Sequence, residues 1–145
     1  WWGGLQRNGD LMLLLAHLLA RNEEWEGAKV EVLSIASNDL ARRQTEAYLA
    51  ELIPRIRIEA APRVLMKPPE RSVAELIHAE SAGAAAVFFG LATPARGEEE
   101  AYAERVQGLA GELENLFLVK NSSLFVGDLL TPDEREAAAG EDRNG

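Results

Sequence analysis

The sequence predicts a single α/β domain with a mainly parallel sheet, and three observations carry that reading. Apolar runs rich in β-branched residues alternate with segments whose apolar residues recur at helical spacing, and the connections between them are short. The run Ala85 to Leu91 is apolar throughout, as expected of a strand covered on both faces. At 145 residues the chain is long enough for one core of its own.

Taken in order, Trp1-Trp2 reads as the stump of a first strand, after which Asn8-Gly9-Asp10 caps a helix from about Leu11 to Arg21. Val30 to Ile35 is the second strand. Ser37-Asn38 then caps a helix carrying Leu40, Ala41, Tyr48, Leu49, Leu52 and Ile53 at helical spacing, and Pro54 closes it. Ile56 and Ile58 alternate with Arg55, Arg57 and Glu59, which predicts a third strand at a sheet edge, and Pro62 agrees with an edge. Ser72 to Glu75 has capping-box spacing ahead of Val73, Leu76, Ile77 and Ser81. Ala85 to Leu91 is the fourth strand. A helix from Glu98 to Glu114 presents Tyr102, Val106, Leu109 and Leu113, and Leu116 to Lys120 is the fifth strand. Right-handed crossovers give a five-stranded sheet in the order 3-2-1-4-5, with helices on both faces and Val30 to Ile35 and Ala85 to Leu91 central. Residues 1–130 form the domain. Residues 131–145, rich in Ala, Gly and charge, read as a frayed tail or short helix.

Composition narrows the chemistry. There are no cysteines, which removes disulfides, thiolate metal sites and cysteine nucleophiles and fits a reducing compartment. Fifteen Lys and Arg against 24 Asp and Glu give a net charge of −9, unsuited to a nucleic-acid backbone or an anionic lipid surface. The longest apolar run, Leu11 to Ala20, is about half of the ~20 residues a membrane-spanning helix needs. The opening Trp1-Trp2-Gly3-Gly4, without initiator Met, basic segment or signal peptide, reads as the cut end of a longer chain.

No catalytic constellation emerges. Ser37, Ser72, Ser81, Ser122 and Ser123 lie in no Gly-x-Ser-x-Gly setting, and no His-acid pair is placed to activate them. His78-Ala79-Glu80 matches the His-x-Glu of zinc deaminases, whose chemistry also needs cysteines; His78 and His17 are read as ordinary helix residues. Glu98-Glu99-Glu100 suits a solvated first helical turn, because neighbours about 100° apart cannot converge on one cation. Asn121-Ser122-Ser123 is a formal glycosylation sequon read as a strand end and turn. In a sheet of this winding a ligand sits at the ends of strands 1 and 4, where the chain offers Gly3-Gly4 and Gly90-Leu91-Ala92-Thr93. Neither is a dinucleotide or Walker fingerprint. The predicted topology is similar to that of the universal stress proteins, whose ATP-binding members carry Gly-x2-Gly-x9-Gly followed by Ser or Thr after strand 4. Here Thr93 stands at the second glycine and no later glycine restores the spacing, so no cofactor is assigned.

The first helix is anomalous. Leucines run almost all the way around it, with Asp10, His17 and Arg21 as polar interruptions. With Leu11, Leu14, Leu15 and Leu18 assigned to the sheet, Met12, Leu13 and Leu19 become the candidate interface with another protein surface; the alternative is a central helix covered by its neighbours within the same domain.

Three stretches, WWGGLQRNGDLMLLLAHLL, SVAELIHAESAGAAAVFFGLATP and VKNSSLFVGDLL, resemble the C-terminal cytosolic domain of prokaryotic cation-chloride cotransporters, which belong to the amino acid-polyamine-cation permeases. The resemblance spans most of Trp1 to Leu130. It implies a universal-stress-protein-like fold on the cytoplasmic side of a membrane transporter, one that supports dimerisation, folding or regulation while a separate transmembrane bundle carries out symport. No transport residue of that family maps onto this chain. The expected partners are a second copy of the domain or the transmembrane part of the parent. The alternatives are a free-standing nucleotide binder resembling the universal stress proteins, or the cytosolic domain of an amino acid permease.

Overall fold

The computed structural model describes residues 1–3, 8–111 and 113–121. Its elements are α1 (Asn8–Ala20), a 3-10 turn (Glu23–Trp25), β1 (Val30–Ala36), α2 (Asp39–Ile56), β2 (Ala60–Met66), α3 (Val73–Ser81), β3 (Val87–Gly90), α4 (Glu99–Ala110) and β4 (Leu116–Val119). β1 and β2 pair in parallel from Val30 opposite Ala60 to Ala36 opposite Met66, and β3 and β4 pair in parallel from Val87 opposite Leu116 to Gly90 opposite Val119. The class is therefore α/β with parallel strands, arranged among the described residues as two two-stranded sheets.

Trp1 and Trp2 make backbone contacts with both sheets. The Trp2 N–H donates to the Leu33 carbonyl in β1 at 2.6 Å, and the Trp1 amino group donates to the Phe88 carbonyl in β3 at 2.8 Å. Their side chains separate as those of adjacent residues on extended backbone do. Trp2 packs against a core of Leu13, Val32, Leu49, Leu52, Ile53 and Ile58, whereas Trp1 packs against Ile77, Val87 and Phe89. The Trp1 indole N–H finds a partner in the Ser81 hydroxyl at 2.9 Å, as a half-buried indole requires.

Local chemistry explains most boundaries. Asn38 caps α2 by accepting a hydrogen bond from the Ala41 N–H at 2.8 Å. Ser72 and Glu75 form the reciprocal capping box of α3: the Ser72 hydroxyl accepts from the Glu75 N–H, and the Glu75 carboxylate accepts from the Ser72 N–H. α4 begins one residue after Glu98 and stops at Ala110, short of the expected Glu114. Gly111 ends it at φ 47°, and a Cβ there would meet the His78 ring at 2.4 Å, so only glycine suits the position.

The third strand is corrected. Ile56 belongs to α2, which continues through Pro54, and Arg57 turns the chain in the left-handed region at φ 53° before Ile58 enters the core. The alternation of Ile56 and Ile58 thus reflects a helix end followed by a reversal, and the strand proper starts at Ala60 and includes Pro62. Pro54 is tolerated because it lies in the last turn, where the helix is about to end. Asn8, Gly9 and Asp10, expected as a cap, are already the first turn of α1.

Candidate functional site

The C-terminal ends of the strands are the place to look for a ligand in this class of fold. β1 delivers Ala36 there, β3 delivers Gly90 and Leu91, and β4 delivers Lys120 and Asn121. The N-terminus of α1 lies against these ends and its Asn8 side chain, 5% exposed, fills the space between them. Asn8 Nδ2 donates to the Leu91 carbonyl at 2.9 Å, and Asn8 Oδ1 accepts from the Asn121 N–H at 2.6 Å. Gly90 is glycine for a steric reason: a Cβ on it would approach the Asn8 Cβ at 2.9 Å.

The next donors are also used within the chain. The Ala92 N–H donates to the Tyr102 hydroxyl at 2.7 Å, which ties the loop after β3 to α4. Lys120 Nζ donates to the Thr93 hydroxyl. A phosphate would need backbone N–H groups directed at it, and those of Ala92 and Asn121 are committed to side chains of this protein. Gly3 is exposed, whereas Gly4 lies outside the described residues. So do Ser122 and Ser123 of the sequon and the expected tail.

The remaining sequence candidates are dispersed. His78 Nε2 lies 3.0 Å from the Leu109 carbonyl oxygen, so this nitrogen carries the proton and donates, linking α3 to α4. His17 is half-buried on α1. Glu80 pairs with Arg63 at 2.8 Å, and Arg63 also reaches Glu31 at 3.6 Å. Glu99 accepts from the Gly97 N–H, a turn at the start of α4. Among the described residues no three His, Cys, Asp or Glu side chains are grouped as a metal site would require.

The α1 surface departs from the face expected from sequence at Met12, Leu13, Leu15 and Leu18. Met12 and Leu13 are 7% and 4% exposed, Leu19 is half-buried, and Leu15 and Leu18 face solvent at 38% and 57%. The reason lies in where α1 runs: it contacts β3, β1 and β4 together, so a wide arc containing Asn8, Gly9, Met12 and Leu13 turns inward. Gly9 marks the closest approach, since a Cβ there would lie 2.3 Å from the Trp2 ring. Leu18, nine residues on at about 100° each, is half a turn away from it. Met12 and Leu13 are thus core residues in this fold.

In the sequence Asn8 is legible only as a helix cap, and nothing local announces that its amide group joins two strand ends far along the chain. No described helix is long and apolar enough to cross a membrane. A scan against protein-family models and a search of curated proteins each find no match to this chain.

Proposed function

We propose that this protein is a non-catalytic assembly and regulatory domain, held at the cytoplasmic face of a membrane transporter of the cation-chloride cotransporter type. The observation that carries the non-catalytic reading is the occupancy of the strand ends by the chain's own Asn8, Tyr102 and Lys120 side chains. A site that would cradle a nucleotide phosphate is replaced by a polar staple. The parent assignment rests on the three family-like stretches around Trp1, Ser72 and Val119. The domain has one sheet in the order expected from sequence, 3-2-1-4-5, with Trp1-Trp2 as the strand between β1 and β3; the hydrogen bonds of these residues to Leu33 and Phe88 support that order.

The working surface is the outward side of α1. Leu15 and Leu18 are one helical turn apart and form a contiguous apolar step on which a second copy of the domain packs. Burial of each contributes about 1.5–3 kcal/mol before the costs of association, so contact in solution is weak. Tethering in a shared membrane raises the effective concentration and makes it persist.

The reading frame that encodes this domain tests the parent assignment. About a dozen apolar segments of ~20 residues upstream are expected, and a free-standing frame would contradict the proposal. Calorimetry with Mg-ATP tests the non-catalytic part. No binding is expected, and a dissociation constant in the low micromolar range, about −8 kcal/mol, would favour a nucleotide binder instead.

A further inference from the structure

Two opposite charges bound the outward face of α1. Arg21 follows the helix directly, and its N–H donates to the His17 carbonyl at 3.2 Å, which keeps it in helical register. It lies eleven positions beyond Asp10, about three turns and ~17 Å along the axis, so both residues stand on one side of the helix. Between them on that side are Leu11, Leu14 and Leu18, with Leu15 at the margin. Leu11 and Leu14 are half-buried, whereas Leu15 and Leu18 are exposed. We infer that this face pairs with itself: α1 of a second copy packs against it antiparallel, about a twofold axis, with Arg21 of each copy set against Asp10 of the other. The inference rests on the association proposed above and assigns its orientation and the residues that select the partner.

Charge selects this occupant. Two copies that each carry −9 repel one another over most of their surfaces. The repulsion is least along α1, which from Asn8 to Ala20 holds the single carboxylate Asp10 and no Lys or Arg, whereas α2, α3 and α4 each carry two or more carboxylates. A parallel pair would bring Asp10 against Asp10 and Arg21 against Arg21. The antiparallel pair brings opposite charges together at both ends, and sets the positive end of each helix dipole beside the negative end of the other.

The leucines fit the same register. With Asp10 level with Arg21 of the other copy, Leu14 of one helix falls between Leu14 and Leu18 of its mate, and Leu18 falls between Leu11 and Leu14. The two apolar ridges therefore interleave instead of colliding.

The test measures self-association of the full chain by an NMR concentration series at low salt. Arg21→Glu sets two like-charged contacts across the twofold axis and is expected to raise the dissociation constant about fivefold or more. Arg105→Glu makes the same change of net charge on the exposed surface of α4 and should leave the association within about twofold of Arg21 native protein. The exchanged variant Asp10→Lys with Arg21→Glu should recover most of the loss, because it restores opposite charges at both ends. An Arg21→Glu variant that associates as tightly as Arg105→Glu would overturn the inference. If Leu18→Glu nevertheless abolished association, the α1 surface would stand and only the antiparallel pairing would fall; a native chain monomeric at every concentration would overturn both.

Discussion

Replacing Asn8 by alanine removes both arms of the staple at the strand ends. The Leu91 carbonyl and the Asn121 N–H lose their partners together, in a place where Asn8 itself is only 5% exposed. Each group left unsatisfied costs about 1–3 kcal/mol when buried. Both lie near the rim, where water replaces part of the loss, so the sum expected is about 2–4 kcal/mol. With a urea slope of ~2 kcal/mol per molar, the unfolding midpoint falls by roughly 1–2 M while the slope is unchanged. Asn8→Asp separates the two bonds. It keeps an acceptor for Asn121 but sets a carboxylate oxygen against the Leu91 carbonyl, and the ~0.3–1 kcal/mol that an acid gains in a first helical turn does not offset the lost bond. The aspartate variant is therefore also destabilised at neutral pH, and recovers in part on acidification, when the carboxyl regains a proton to donate. A shift of less than about 0.5 kcal/mol for Asn8→Ala, typical of a surface substitution, would refute the staple.

Three further perturbations probe the rest of the fold. Leu49, fully buried against Leu13, Val32 and Ile53, should cost about 2–5 kcal/mol when changed to alanine, read by denaturant unfolding. Ser72→Ala removes the hydroxyl half of the α3 capping box and should lower stability by about 1 kcal/mol; the Glu75 carboxyl, held below its usual value first by the Ser72 N–H and then by its hydroxyl, should rise only in part because the N–H remains, visible by NMR titration. In the polypeptide that begins at Trp1, the amino group of that residue gives a pH dependence. Unfolded it keeps its proton up to about pH 8, and folded it loses it near 6, so between these values the unfolded chain binds more protons and stability rises with pH. The penalty is complete below 6 and absent above 8, worth at most about 2–3 kcal/mol, and N-terminal acetylation should flatten the change in melting temperature between pH 6 and 8.

The parts of the fold legible in sequence are those set by local chemistry. The Ser72-Glu75 box, the Asn38 cap, the β-branched run of β1 and the apolar run of β3 each act within a few residues, and each lies where the pattern placed it. The failures share a different cause. Ile56 and Ile58 match a strand period and a helix end equally well, and only the left-handed turn at Arg57 decides between them. The α1 face was unreadable because leucines on every side leave no polar stripe to set the rotation, and the glycine that fixes it, Gly9, reads locally as a turn. Asn8 is a long-range residue in the same sense: its partners lie 83 and 113 positions away.

The surface proposed for assembly is the outward step of α1, and light scattering on the native domain beside Leu18→Glu tests it most directly. Leu18 is 57% exposed, so glutamate there leaves the core intact, which the circular dichroism spectrum verifies. The apparent mass of the native domain is expected to rise toward that of a dimer as concentration approaches roughly millimolar, where a ~4 kcal/mol contact is half-formed, while the Leu18→Glu variant stays monomeric across the same range. A native domain that remains monomeric throughout, or a variant that associates equally well, would contradict it.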